Sequence, residues 1–184
     1  SIAQTLEDKA EIDNTPRVVI GAEQLFSEDN IHLIKGKRIG LVTNHTGVLP
    51  DGTHLIDLLH DHPQVKLTLL FGPEHGLRGE QDTHVANGTD PKTGLPIISL
   101  YGKVRKPTPK MLEKVDVLVF DIQDIGARFY TYIKTMLRVQ EAAAEEGVPF
   151  IVLDRPNPIT GNYVDGPVGR ALEPKTMIGK IPIT

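Results

Sequence analysis

The sequence predicts an α/β fold built on a mostly parallel sheet. Three observations lead there. Apolar runs rich in Val, Ile, Leu and Phe stand at 38–43, 65–71, 115–122 and 148–153, the length of strands rather than helices. Segments with helical tendency separate them, and strand–helix alternation builds parallel pairs joined by crossovers. Each run ends in a polar loop. In a parallel sheet such loops gather on the carboxyl edge, where open α/β folds bind their ligands.

Ser1–Thr15 is polar and without period, and reads as a partly disordered leader that extends to about residue 20. Between Ala22 and Leu33 a short helical tendency turns Leu25, Phe26 and Leu33 toward a core. Gly36-Lys37 then turns the chain into the first strand, Arg38–Thr43. Thr53–His60 reads as a helix with Leu55, Ile56, Leu58 and Leu59 on or near one face, and Asp51 or Thr53 as N-cap. Val65–Phe71 is the second strand. Glu80–Pro96 has no period and reads as a long loop of the kind that carries function. Ile97–Tyr101 is a short strand, and Lys110–Lys114 forms a turn of helix after Pro107-Thr108-Pro109. Val115–Ile122 is the third strong strand, broken only by Asp116. Phe129–Glu146 is the longest predicted helix. It directs Ile133, Met136, Leu137, Val139 and Ala143 inward, with Gly147 as its C′ stop. Val148–Leu153 is the fourth strong strand. The chain beyond it is rich in Gly and Pro, without a long element.

Composition narrows the function classes. The 20 Lys and Arg against 24 Asp and Glu leave a net charge of −4, which supplies no footprint for nucleic acid or anionic membranes. No apolar run reaches the ~20 residues of a membrane-spanning helix. There is no cysteine, so disulfides, thiolate zinc sites and cysteine nucleophiles are excluded; this is compatible with an exported protein. Neither a Gly-x-Gly-x-x-Gly turn after the first strand nor a phosphate-binding Gly-Lys-Ser/Thr loop is present, which argues against dinucleotides and nucleoside triphosphates. No Gly-x-Ser-x-Gly elbow is present either. No cofactor is expected.

Four loops are expected on one edge of the sheet. They carry Asn44 and His45; Glu74, His75 and Arg78; Asp121, Gln123, Asp124 and Arg128; and Asp154, Arg155 and Asn157. Together they offer acid/base groups, carboxylate-binding guanidiniums and hydrogen-bonding amides, the makings of a cleft. Glu74, flanked by His75 and Arg78, is the leading acid/base candidate, and its plainer role is to cap the following turn. His75 reads either as a second catalytic group or as a brace for the loop. Asp121 and Asp124 form a spaced carboxylate pair, one of which can instead cap a helix starting near Ala127. Arg128 and Arg155 suit bidentate carboxylate binding, or a salt bridge to Asp121, Asp124 or Asp154. Phe129, Tyr130 and Tyr132 read as core and rim. His32, His54, His60, His62 and His84 are scattered and read as surface or packing residues. No metal is assigned, although a hydrolytic metal on His45, His75 and the aspartates is a competing reading. A non-catalytic module that binds its ligand in the same cleft is another.

The segments Gly40–Gly47, Phe71–Gly79, Ser99–Gly102, Phe120–Tyr132 and Leu153–Pro158 closely resemble the exo-β-N-acetylmuramidase family, formerly a domain of unknown function, from about Gly21 to the last residue. The resemblance implies a bacterial, often exported glycosidase that releases N-acetylmuramic acid from the non-reducing ends of peptidoglycan fragments. Its partners would be peptidoglycan-derived saccharides. It also implies a Rossmann-like three-layer domain paired with a smaller C-terminal domain, the cleft lying between them. On this basis residues 1–20 are a leader, 21–160 the Rossmann-like catalytic domain and 161–184 the start of a connection to a smaller domain largely absent from this chain. The family's glutamate in its Pro-Glu-His-Gly motif falls on Glu74. Glycosidases use paired carboxylates, one of which protonates the leaving oxygen. Glu74 is then the acid, and Asp121 or Asp124 the base or electrostatic partner. One of Arg78, Arg128 and Arg155 would grip the lactyl carboxylate of the sugar. The expected location is periplasmic or extracellular, after removal of a signal peptide.

Overall fold

The computed structural model describes residues 17–73, 77–78, 88–101, 104–127, 129–163 and 165. They form six strands and four α-helices: α1 (Gly21–Gln24), β1 (Arg38–Thr43), α2 (Leu55–Asp61), β2 (Lys66–Gly72), β3 (Gly88–Thr89), β4 (Pro96–Ser99), α3 (Pro109–Leu112), β5 (Val117–Asp121), α4 (Tyr132–Glu145) and β6 (Phe150–Val152). The sheet order is β3-β4-β2-β1-β5-β6. All neighbours are parallel except β3, which runs antiparallel to β4. The four strong strands expected from sequence are therefore consecutive parallel neighbours, β2-β1-β5-β6.

Alternation along the strands builds two cores. Ile39, Leu41, Val117 and Val119 face α1 and α2, packing with Leu25, Leu55, Ile56 and Leu59. Val42, Leu118 and Phe120 face the other way, toward Leu112, Tyr132, Val139, Ala142 and Ala143 of α3 and α4. Burial on both faces explains why the strands read as unbroken apolar runs. It also makes the domain three layers deep, helix on sheet on helix.

Several elements differ from the sequence reading. The Ala22–Leu33 stretch splits into α1 and a 3-10 turn at Ile31–Leu33. The expected loop at 80–96 contains β3, a two-residue strand too short to leave a periodic signal. Asp116 lies outside β5 and pairs with Arg38 at 2.7 Å. The longest helix starts at Tyr132, not Phe129, and Phe129 is left exposed. Its inward face is Tyr132, Val139, Ala142 and Ala143, with Met136 packed beside them. Ile133 and Leu137 are only half buried. Gly147 does take the left-handed conformation of a C′ residue, at φ 66°. The start of α1 is tied to the loop after β6: Gly21 N–H donates to the carbonyl of Asp154 at 2.8 Å. A β-carbon on Gly21 would stand 2.5 Å from the Asp154 nitrogen, so only glycine fits there. Residues 1–16, and most of the expected connection at 161–184, lie outside the described residues.

Candidate active site

The strand order creates a switch point. From β1 the chain moves one way to β2 and β4, then returns to the other side of β1 for β5 and β6. Ligands of open α/β sheets bind where strand order reverses, beyond the carboxyl ends. Here that place lies between the loops after β1 and β5.

Those loops are bonded to each other. Thr43 Oγ1 donates to the carbonyl of Asp121 at 2.9 Å. Asn44 Oδ1 accepts from Thr46 N–H at 2.9 Å and Thr46 Oγ1 at 2.6 Å, and Thr46 Oγ1 in turn accepts from Gln123 N–H at 2.9 Å. The loop after β6 joins through Gln123, whose Nε2 donates to the carbonyls of Asp124 at 2.7 Å and Pro156 at 2.8 Å. Asn157 packs directly on Gly126, whose φ of 72° needs glycine. Gly47 leaves no room for a side chain beside Thr43 Oγ1.

At the centre stands an ion pair. Arg155 Nε and Nη2 donate to the two carboxylate oxygens of Asp121 at 2.6 and 2.9 Å, and Nη2 also donates to the Val48 carbonyl at 3.1 Å. The Asp121 side chain is fully buried and that of Arg155 is 8% exposed. The pair thus neutralises two of the expected site residues against each other. Asp124 is half buried, and its Oδ1 accepts from Gly126 N–H at 2.7 Å. It forms a turn there and caps no helix, since α4 begins at Tyr132. Asp154 is exposed and accepts from Arg155 N–H at 2.9 Å. A small cavity of about 130 Å³ opens beside Asp124, Asp154 and Arg155, floored by Tyr132, Ile133 and Met136. Asn44 is buried, and its Nδ2 has no hydrogen-bond partner among the described residues. Buried donors of that kind are uncommon in folded proteins.

The loop after β2 reaches the same edge through a histidine. His54 is the N-cap of α2, in place of the expected Asp51 or Thr53, and its Nδ1 accepts from Ile56 N–H at 3.1 Å. The ring proton therefore sits on Nε2, which lies 3.0 Å from both the Asn44 and the Leu77 carbonyls. Rather than a scattered surface or packing residue, His54 is a bridge between the loops after β1 and β2. A polar residue just before an apolar helical stretch is its only signal in the sequence.

Arg78 is held by two carboxylates, not open to a ligand's. Its guanidinium meets Asp57 at 2.8 and 3.2 Å and Asp90 at 2.7 and 2.9 Å. Lys92 adds a 2.6 Å contact to Asp57, and Thr93 donates to Asp90 through both N–H and hydroxyl. Burial alone would raise the Asp90 carboxyl, but bonds from Arg78 and Thr93 outweigh it and hold the group well below the usual carboxylate range. Asp57 is lowered in the same way by Arg78 and Lys92. A groove of about 700 Å³ runs past this cluster, lined by the exposed His45, by Val48, His54, Asp57, Arg78 and Lys92. Glu74, His75 and Arg128 lie outside the described residues. Among the described residues no three metal-binding side chains converge, and the Asp121 carboxylate is taken up by Arg155.

Burial lowers the His54 pKa, aided by the nearby Arg78 charge and opposed by the two carbonyls. Below about pH 6.5 the unfolded chain takes up the proton before the folded one. The stabilisation from neutral His54 is complete above that pH and is lost as pH falls toward the lowered value. Urea melts at pH 5 to 8 should show a loss of stability toward acid, at most about 1.4 kcal/mol per pH unit from one group. His54→Asn, which keeps a good N-cap, should lack this component. Equal pH slopes for both proteins would overturn the assignment.

Comparison with known proteins adds a family. Residues 39–184 match the family described as "Exo-beta-N-acetylmuramidase NamZ, N-terminal". The chain is 50% identical over 181 residues to a Bacillus subtilis (strain 168) protein named "Peptidoglycan beta-N-acetylmuramidase NamZ", covering 96% of this chain and 43% of that one. It is also similar to crystal structures of two DUF1343 family proteins from Bacteroides fragilis NCTC 9343, at 49% and 41% identity with TM-scores of 0.78 and 0.76. Each covers 91% of this chain and 42% of the other. The chain thus spans less than half the length of these relatives.

Proposed function

The chain belongs to the exo-β-N-acetylmuramidase family, and from that premise we propose that the whole protein is an exo-acting glycosidase. It releases N-acetylmuramic acid from the non-reducing ends of peptidoglycan fragments, outside the cytoplasm, in cell-wall turnover or recycling. One observation carries the reading furthest. A single imidazole nitrogen, His54 Nε2, touches the carbonyls of Asn44 and Leu77. It ties the loop that holds Glu74 to the switch point of the sheet, where the loops after β1, β5 and β6 already interlock. The adjoining groove, about 700 Å³, is within the range of small-molecule sites.

In this reading Glu74 protonates the leaving oxygen, with His75 beside it. Asp124, half buried and outside the ion pair, is the second carboxylate as base or electrostatic partner. Asp121 supports the site from below through Arg155. His45, Gln123, Asp154 and Asn157 line the approach to the sugar, and the buried Asn44 holds the loop after β1 beneath them. Arg78 and Arg155 already face buried carboxylates, so Arg128 is the arginine assigned to the lactyl carboxylate.

The test is hydrolysis by the full-length protein of a chromogenic β-N-acetylmuramide and of the matching N-acetylglucosaminide. A charge-assisted bidentate contact is worth roughly 1.5–3 kcal/mol. The muramide should therefore be preferred about tenfold to more than a hundredfold. Equal rates would sink the carboxylate contact. Muramic acid binding without turnover would replace the enzyme by a cell-wall-sugar module.

A further inference from the structure

We propose that Arg78 is a positioning residue, which fixes the exit of the loop after β2 and through it the loop's acid/base group. The inference rests on the glycosidase reading. A guanidinium has five N–H donors, and Arg78 makes four contacts to carboxylate oxygens, through Nε, Nη1 and Nη2. The two acceptors come from different elements, Asp57 from α2 and Asp90 from the residue after β3. The Asp90 side chain is 1% exposed and those of Arg78 and Asp57 are 16% and 13% exposed. With Lys92 on Asp57, two cations meet two carboxylates, and the cluster carries no surplus charge to attract a substrate anion. Its product is geometric. A planar fork that bridges two carboxylates fixes the direction in which Arg78 leaves the backbone, which a lysine point charge does not.

The neighbouring residue is anchored as well. Leu77 is buried among Leu25, Leu55 and other core residues, and its carbonyl meets His54. On the entry side, β2 pairs through Phe71 with β1 and through Gly72 with β4, and Pro73 is buried. Four peptide links join the entry anchor at Pro73 to the exit anchor at Leu77, and the loop's acid/base residues stand between them in sequence. At most about 3.3–3.6 Å per residue is available to them.

The experiment uses full-length protein and three variants: Arg78→Met, Arg78→Lys and Thr93→Val. The last removes the hydroxyl's bond to Asp90 and the one it accepts from Leu95 N–H, and leaves every ion pair. Misplacing a catalytic group by about 1 Å costs on the order of a hundredfold. We expect kcat on a muramide to fall about tenfold to a hundredfold in Arg78→Met and in Arg78→Lys, with KM within about twofold, and by a smaller factor in Thr93→Val. Failure of the charge-preserving lysine to rescue kcat marks the fork as the cause. Amide hydrogen exchange should rise across residues 71–78 in the arginine variants while β1 and β5 stay protected. Wild-type kcat in a folded Arg78→Met, or a raised KM with unchanged kcat, would overturn the proposal. So would losses that merely follow the unfolded fraction. If wild-type protein releases no muramic acid, the glycosidase reading fails. The exchange measurement then still decides the anchor, and unchanged exchange at 71–78 in Arg78→Met refutes it.

Discussion

Glu74→Gln in the full-length protein should leave folding and sugar binding intact and lower turnover of a poor leaving group by about a hundredfold or more. The amide keeps the shape of the side chain and removes the transferable proton. Glu74 itself lies outside the described residues, but both of its flanks are fixed. Strand β2 pairs through Gly72 with β4, and Leu77 is buried with its carbonyl on His54. The loop that carries it is thus anchored on both sides, beside the edge where three other polar loops interlock. If it serves as general acid, need for its proton scales with the basicity of the leaving group. An activated aryl muramide, whose aglycone departs without protonation, should recover much of the lost rate. If Glu74 only shapes the loop, the variant should lose stability or binding, and the activated substrate should fare no better than the poor one. The comparison is kcat on both substrates for both proteins. Near-normal turnover of the poor substrate by Glu74→Gln would end the assignment.

Local signals in the sequence survive well in the structure, and distant pairings do not. The apolar runs at 38–43 and 115–122 become the adjacent buried strands β1 and β5 because both faces of a parallel sheet are covered. Gly147 closes α4 because a left-handed residue is a local requirement. By contrast, nothing near Arg78 in the chain announces Asp57 or Asp90, which lie 21 and 12 positions away. Asp90 falls in an aperiodic stretch, so it reads as loop. The expected edge offers several aspartates and three arginines, and sequence supplies no rule for pairing them. Tertiary structure sets Arg155 on Asp121, 34 positions apart, and leaves Asp124 and Asp154 to make local turns. The role of His54 is hidden for a related reason. Asp51 and Thr53 are the better N-caps by type, but it is the His54 imidazole that stands at the helix start with Nε2 on both Asn44 and Leu77.

Arg155→Met should destabilise the protein by about 3–5 kcal/mol, the usual cost of removing one partner of a buried ion pair. The cause is the charge left behind. Asp121 is fully buried, and both of its oxygens accept from Arg155. Methionine fills much of the volume and satisfies neither oxygen. Replacing both partners by apolar groups removes that penalty, since buried pairs are often no better than well-packed hydrophobic residues. Asp121→Leu/Arg155→Met should therefore regain most of the lost stability. A remainder of about 1–3 kcal/mol would persist, because the Val48 carbonyl also loses its donor. Urea melts of the wild type, both single variants and the double variant form the cycle. The single losses should exceed the double loss, giving a coupling energy well outside error. The other role open to Arg155 is to grip the substrate's carboxylate. That role predicts the opposite pattern: stability close to wild type in Arg155→Met, additive effects in the cycle and a raised KM for muramides alone. The two outcomes share no common ground, because a guanidinium that neutralises a fully buried carboxylate has no net charge left for a ligand.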